Sequence, residues 1–158
     1  MVETQWLSPE TERALAQAAE MWPGVELLML FGSAAKGRLG PESDVDVYVR
    51  LTPGHSAERV HEQRFRESAE RACRREIDLV IETPSTSVIL RREVASRGRP
   101  LFERSPSAAI TFRVEAVRAY ADLEPQLRKI GAAIRARALR DGALAIDRVR
   151  TRGASRGR

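Results

Sequence analysis

Between Leu30 and Val49 the chain reads LFGSAAKGRLGPESDVDVYV. No other stretch limits the fold as strongly. From Asp44 to Leu51 the residues alternate without a break. Val45, Val47 and Val49 fall on one side, and Asp44, Asp46 and Tyr48 on the other, which is the period-two pattern of a strand with one buried face. Upstream, the apolar run Val25 to Phe31 has the length and composition of a second, more deeply buried strand. Between the two, Gly32 to Arg38 reads as a tight turn entering a short helix, stopped by Gly37, Gly40 and Pro41. A chain built around this unit needs a sheet with helices packed on it.

The flanking segments agree. Ser8-Pro9 is a capped helix start, and Leu15, Ala18, Ala19 and Trp22 follow at helical spacing. Ser56 to Arg75 predicts an amphipathic helix with Val60, Phe65, Ala69 and Ala72 toward the core. Ile77 to Ile81 predicts a third strand, with Asp78 in it. Ser87 to Ser96 predicts a helix with Gly98 as its C-cap, and Leu101-Phe102 a short last strand. From Ser105-Pro106 onward, Ile110, Val114, Val117, Tyr120, Leu123, Leu127, Ile130 and Ile134 recur every three or four residues. Pro125 is expected to kink or split that helix. The fold class is α/β (α+β): a mixed sheet flanked by helices.

Composition removes several function classes. The 158 residues suffice for one domain with a real core. No apolar run approaches the roughly 20 residues of a membrane span, and the N-terminus lacks the pattern of a secretory signal. One cysteine, Cys73, and two histidines cannot form a disulfide or a conventional structural zinc site. A cytoplasmic location is the expectation. Of the net charge of +5, +4 lies in residues 147–158. The body is therefore near neutral, with a basic tail that is expected to be unstructured. That tail could lend weak, salt-sensitive contact with nucleic acid, and no other nucleic-acid binding is expected.

The chemistry lies with the acids. Asp44 and Asp46, two apart on a strand, project from one face about 6.5 to 7 Å apart at Cα. Such a pair persists when water reaches it or when a cation sits between. Magnesium suits the second case, since it takes oxygen ligands from one or two carboxylates plus substrate phosphates. A two-metal site for phosphoryl transfer calls for a third carboxylate, and Asp78 on the next strand is the candidate. Gly32-Ser33, between strand and helix, offers a backbone that a phosphate can approach, free N–H donors and a hydroxyl. Each motif alone also fits a plain strand edge or turn. Their combination, G-S followed after ten residues by D-x-D across strand, turn, helix and strand, favours a nucleotide site.

These residues resemble the signature of nucleotidyltransferases of the DNA polymerase β superfamily. The stretch FGSAAKGRLGPESDVDVYV is most similar to the minimal nucleotidyltransferases (MNT), antitoxins paired with HEPN-domain ribonuclease toxins. REIDLVI is similar to the family's third-acid strand, ILRREVASRGRPLFE to the helix and strand that close the core, and RVEAVRAYADLEPQLRKI to a helical extension. The resemblance implies a polymerase-β-like core over residues 8–104, a C-terminal helical extension over 105–145 that packs on the core or on a partner, and the basic tail, 146–158. It implies Mg2+ held by Asp44, Asp46 and Asp78, with the last also helping to deprotonate the acceptor. ATP phosphates would lie at Gly32 and Ser33, with Lys36 beside them. The implied activity is transfer of AMP to a hydroxyl, a tyrosine's, of a HEPN toxin, which is thereby silenced. A binding antitoxin without turnover and a small-molecule (aminoglycoside-type) nucleotidyltransferase are the alternatives. The sequence departs from the family pattern at Lys36, where arginine is usual, and at Arg38, where an acid commonly follows the glycine.

Overall fold

The computed structural model describes residues 6–154, with side chains as far as residue 140. Two compact units divide the chain, 1–120 and 121–158.

In the first unit, Ser8 caps α1 (Pro9–Glu20) by accepting a hydrogen bond from the Thr11 N–H. Gly24 then turns the chain into β1 (Val25–Leu30), and one helical turn, α2 (Gly32–Ala35), follows. The remaining elements are β2 (Val45–Leu51), α3 (Arg59–Cys73), β3 (Ile77–Ile81), α4 (Val88–Arg97) and β4 (Arg99–Glu103). The four strands form one mixed sheet in the order β3-β2-β1-β4. β1 runs antiparallel to β2 and β4, whereas β2 and β3 are parallel and joined by the α3 crossover. Pro100, which has no N–H to donate, is tolerated because β4 is an edge strand.

Alternation along the strands divides the core into two layers. Val45, Val47 and Val49 pack with Leu15 and Ala19 of α1 and Phe65 and Ala69 of α3. On the other face Tyr48 and Met29 pack with Val94 of α4 and with Ala109, Phe112 and Ala116 of α5 (Ala108–Ala154). Val60 is 48% exposed, against expectation. It lies five residues before Phe65, about 140° around the helix from the buried face at 100° per residue. The expected apolar stripe of α5 also faces outward at Ile110, Val114 and Val117. Alanines beside Phe112 let the helix approach the sheet closely, so the packed seam is one face over.

α5 is not broken at Pro125, which lies inside it, and it continues to Ala154. The basic end expected to be unstructured from 146 is thus helical to that point, where Ala145, Ile146 and the arginines all have adequate helix propensity. Residues 155–158 lie outside the described residues. In the second unit, Arg128 and Glu124 make an i,i+4 pair at 3.7 Å. Among the described residues no helix is long and apolar enough to cross a membrane.

Candidate active site at one end of the sheet

The C-terminal end of β1 and the N-terminal ends of β2 and β3 meet at one end of the sheet. Gly32 turns the chain there with φ +66°, in the left-handed region that disfavours a side chain. Space excludes one as well: a Cβ on Gly32 would overlap Asp46 Oδ2 and lie 2.7 Å from Asp46 Cγ. The Asp46 carboxylate therefore rests against the Gly32 backbone. The Phe31 N–H donates to the Asp46 carbonyl at 3.0 Å, which carries the β1–β2 pairing up to the turn. The Lys36 and Arg38 N–H groups both donate to the Ser33 carbonyl, at 3.1 and 3.0 Å, and close the bend. The N–H groups of a first helical turn have no acceptor within the helix, and here the Ser33 N–H turns to the Asp46 carboxylate.

The parallel register pairs Asp46 with Asp78 on β3, about 4.8 Å apart at Cα by strand spacing. Alternation puts both on the Tyr48 face. Asp44 lies one residue before β2 and, like Asp78, is exposed, whereas Asp46 is half-buried. Burial raises the Asp46 carboxyl above the usual carboxylate range, and the charges of Asp78 and Asp44 raise it further. The Ser33 backbone N–H and the Lys36 ammonium pull in the opposite direction. All six residues expected from the sequence, Gly32, Ser33, Lys36, Asp44, Asp46 and Asp78, thus belong to this end of the sheet.

The donor set suits a hard dication. It offers only oxygen, and the like charges around Asp46 create the repulsion that a bound cation relieves. As the side chains stand, no three Asp, Glu, His or Cys residues among those described are gathered closely enough to hold a metal ion.

Two further residues serve this end of the sheet and left no local sign in the sequence. Glu93 of α4 accepts from Lys36 Nζ at 3.2 Å and so holds the ammonium near the bend. Arg75 Nη1 donates to the carbonyls of Gly40, Pro41 and Ser43 at 2.7, 2.8 and 3.1 Å, which fixes the loop that delivers Asp44. Tyr48, which shares the face of the aspartates, does not line the site. It is fully buried against Phe112, with ring centroids 5.4 Å apart. Farther along β2, Arg50 and Arg91 interlock with Glu82 and Glu115, with Arg91 Nε 2.9 Å from Glu82 Oε1. Arg91 thereby ties α4 to the residue that follows β3.

The family described as "Polymerase beta, Nucleotidyltransferase" matches residues 14–107. Among curated proteins, none matches the chain. A toxin–antitoxin crystal structure with AMP-PNP superposes with a TM-score of 0.66 at 22% identity, over 78% of this chain and 97% of that one. The MntA–HepT toxin–antitoxin structure gives 0.61 at 20% identity, over 78% and 96%. A structure of the tri-AMPylated Shewanella oneidensis HEPN toxin in complex with MNT antitoxin gives 0.61 at 20%, over 78% and 95%. At these identities the superpositions establish the shared fold. The family match covers well over half of the chain, including the glycine-serine bend and all three aspartates, and on that ground the chain belongs to the polymerase β nucleotidyltransferase family.

Proposed function

We propose that the chain is an MNT-type antitoxin that transfers AMP from Mg-ATP to a tyrosine hydroxyl of a HEPN ribonuclease toxin and thereby neutralises it. The observation that carries this reading is Asp46, seated against Gly32 and in register with Asp78. One residue thereby connects a phosphate-binding bend to an acidic pair. Family membership supports nucleotidyl transfer, and the toxin–antitoxin neighbours support the acceptor.

Asp44, Asp46 and Asp78 would hold Mg2+, which when bound neutralises charge on the triphosphate. Gly32 and Ser33 bind the β- and γ-phosphates, and Lys36 adds a cation at the same bend. Asp78, exposed on the outermost strand, accepts the proton of the incoming hydroxyl. The acceptor oxygen bonds to the α-phosphorus in line as the bond to pyrophosphate breaks, and the bonding pair departs with pyrophosphate. Positioning and charge neutralisation supply most of the rate in such transfers.

The second reading is a binding antitoxin of the same fold without turnover. A single experiment separates the two. The protein is incubated with Mg-ATP and its co-encoded HEPN partner, and the partner is weighed by mass spectrometry. Transfer adds the mass of AMP, and Asp44→Asn/Asp46→Asn abolishes the addition while the circular dichroism is unchanged. A stable complex without added mass establishes the second reading. Transfer undiminished in the double variant refutes the roles given to the aspartates.

A further inference from the structure

An open sheet has two edges, and the two here differ. β4 is blunted: Pro100 has no N–H to offer, and α1 runs beside the strand, tied to it by Arg99 Nη1 and Glu12 at 2.7 Å. β3, at the other edge, carries none of these devices. Its residues, Ile77–Ile81, include no proline, glycine or lysine. Asp78 is exposed, and Leu79, Val80 and Ile81 are each partly so.

Two hydrogen bonds fix which backbone groups face outward. The Val45 N–H donates to the Glu76 carbonyl at 3.0 Å, and the Glu82 N–H to the Val49 carbonyl at 2.8 Å. Glu76 and Glu82 therefore turn their backbone toward β2, and with them, by the period of two, Asp78 and Val80. Ile77, Leu79 and Ile81 turn theirs away. The Ile77 carbonyl has a partner in Arg66 Nη1 at 2.7 Å. Among the described residues nothing bonds to the Ile77 N–H or to the N–H and C=O of Leu79 and Ile81. A row of such groups at two-residue spacing is a template for another strand.

A second copy of this chain fits the edge poorly. In an antiparallel pair the outward groups of one strand bond to the outward groups of the other. Of the two-fold registers, three match at least two of Ile77, Leu79 and Ile81 in each chain. They set Asp78 against Asp78, Glu76 against Glu82, or Asp78 against Glu82, and like charges directly opposite destabilise a ladder. The edge suits a different chain, one with no acid at these positions.

We propose that the free edge of β3 takes an extended segment of the acceptor protein as a fifth strand, with the hydroxyl residue opposite Asp78 and no acid opposite Glu76. This mode of presentation rests on the role given to Asp78 in the transfer. An antiparallel segment meets Asp78 in a non-hydrogen-bonded pair, about 4.5 Å apart at Cα, where facing side chains are closest. The acceptor side chain then lies on the Asp46 and Asp78 face of the sheet. Main-chain bonds supply affinity, and the exposed acids Glu76 and Asp78 select the sequence.

Amide hydrogen exchange of the 15N-labelled full chain reads the edge residue by residue. Without a partner, the Leu79 and Ile81 amides are expected to exchange at least about a hundredfold faster than those of Val80 and Glu82. Addition of the co-encoded HEPN protein, without nucleotide, should slow Leu79 and Ile81 roughly tenfold or more. Ile81→Pro removes one outward N–H and should weaken the complex roughly tenfold, with Mn2+ affinity unchanged. Edge amides that the partner does not slow overturn the proposal, as does absence of a complex or parental affinity in Ile81→Pro. Slowing that follows protein concentration alone overturns it in favour of a second copy. If Ile81→Pro does not fold, the exchange of Leu79 and Ile81 in the parent decides. AMP transfer with unslowed edge amides leaves the enzyme reading standing and removes only the added strand. A slowed edge without AMP transfer does the reverse.

Discussion

Gly32→Ala isolates the link between the bend and the acids. Two costs are added at that position. A non-glycine residue at φ +66° pays about 1–2 kcal/mol for the left-handed backbone. The new methyl must also displace the Asp46 carboxylate, whose Cγ would lie 2.7 Å away. A side-chain end can rotate, so the second cost falls less on stability than on where the carboxylate is held. Gly54 supplies the control. Its φ is +87°, and a Cβ there would meet nothing within 4 Å. Gly54→Ala therefore carries the backbone term alone. In urea denaturation both variants are expected to lose about 1–2 kcal/mol. In an Mn2+ titration followed by water-proton relaxation, Gly54→Ala should match the parent. Gly32→Ala should bind at least tenfold more weakly, and its nucleotidyl transfer should fall by at least a hundredfold. Equal Mn2+ affinity in the two variants would refute the claim that Gly32 sets the position of Asp46.

Further outcomes follow from the same contacts. Arg75→Ala leaves three loop carbonyls without their donor; it should cost about 1–2 kcal/mol in urea denaturation and weaken Mn2+ binding, with Arg75→Lys restoring part of both. Phe112→Ala empties a fully buried site against Tyr48 and should cost about 3–5 kcal/mol by the same measurement; a loss under about 1 kcal/mol would place α5 outside the core. Arg99 bonds Glu12 through both terminal nitrogens, Nη1 at 2.7 Å, and holds its carboxyl below the ordinary 4.5. A carboxyl lowered on folding stabilises above its unfolded value, and the gain disappears as pH falls through the folded one. Both groups are partly exposed, so Glu12→Gln should cost about 0.5–1 kcal/mol at pH 7. The difference between parent and variant should shrink toward zero as the pH of the denaturation series is lowered through and below 4.5.

What could be read from the sequence was local. β3 runs from Ile77 to Ile81, as its composition indicates, because a short apolar run bounded by polar residues has few alternatives. The alternation after Ser43 placed Val45, Val47 and Val49 opposite Asp46, since the pleat permits no other arrangement. Periodicity does not choose between neighbouring helical faces, so the seam of α5 was assigned to Ile110 and Val114 when Phe112 and its alanines form it. The supports of the candidate site were illegible for a different reason. Arg75 meets carbonyls 32 to 35 positions upstream, and Lys36 meets Glu93 across 57 positions. Only tertiary folding brings such partners together, and no pattern within a helix or strand encodes them. The same applies to Arg91, whose partner is Glu82 on the other side of a loop.

The parallel pairing of β2 with β3 makes the spacing after α3 a matter of arithmetic. The ladder opens where the Val45 N–H meets the Glu76 carbonyl at 3.0 Å and proceeds one residue at a time. One residue inserted into the turn between Cys73 and Ile77 that shifted the ladder by one would bring the other side of β3 toward the Tyr48 layer. Every amino acid would survive the change, but Asp78 would point toward α1 and α3 rather than standing beside Asp46. The length of that turn, as much as the identity of the acid, decides whether the outermost strand contributes a carboxylate to the Gly32 end of the sheet.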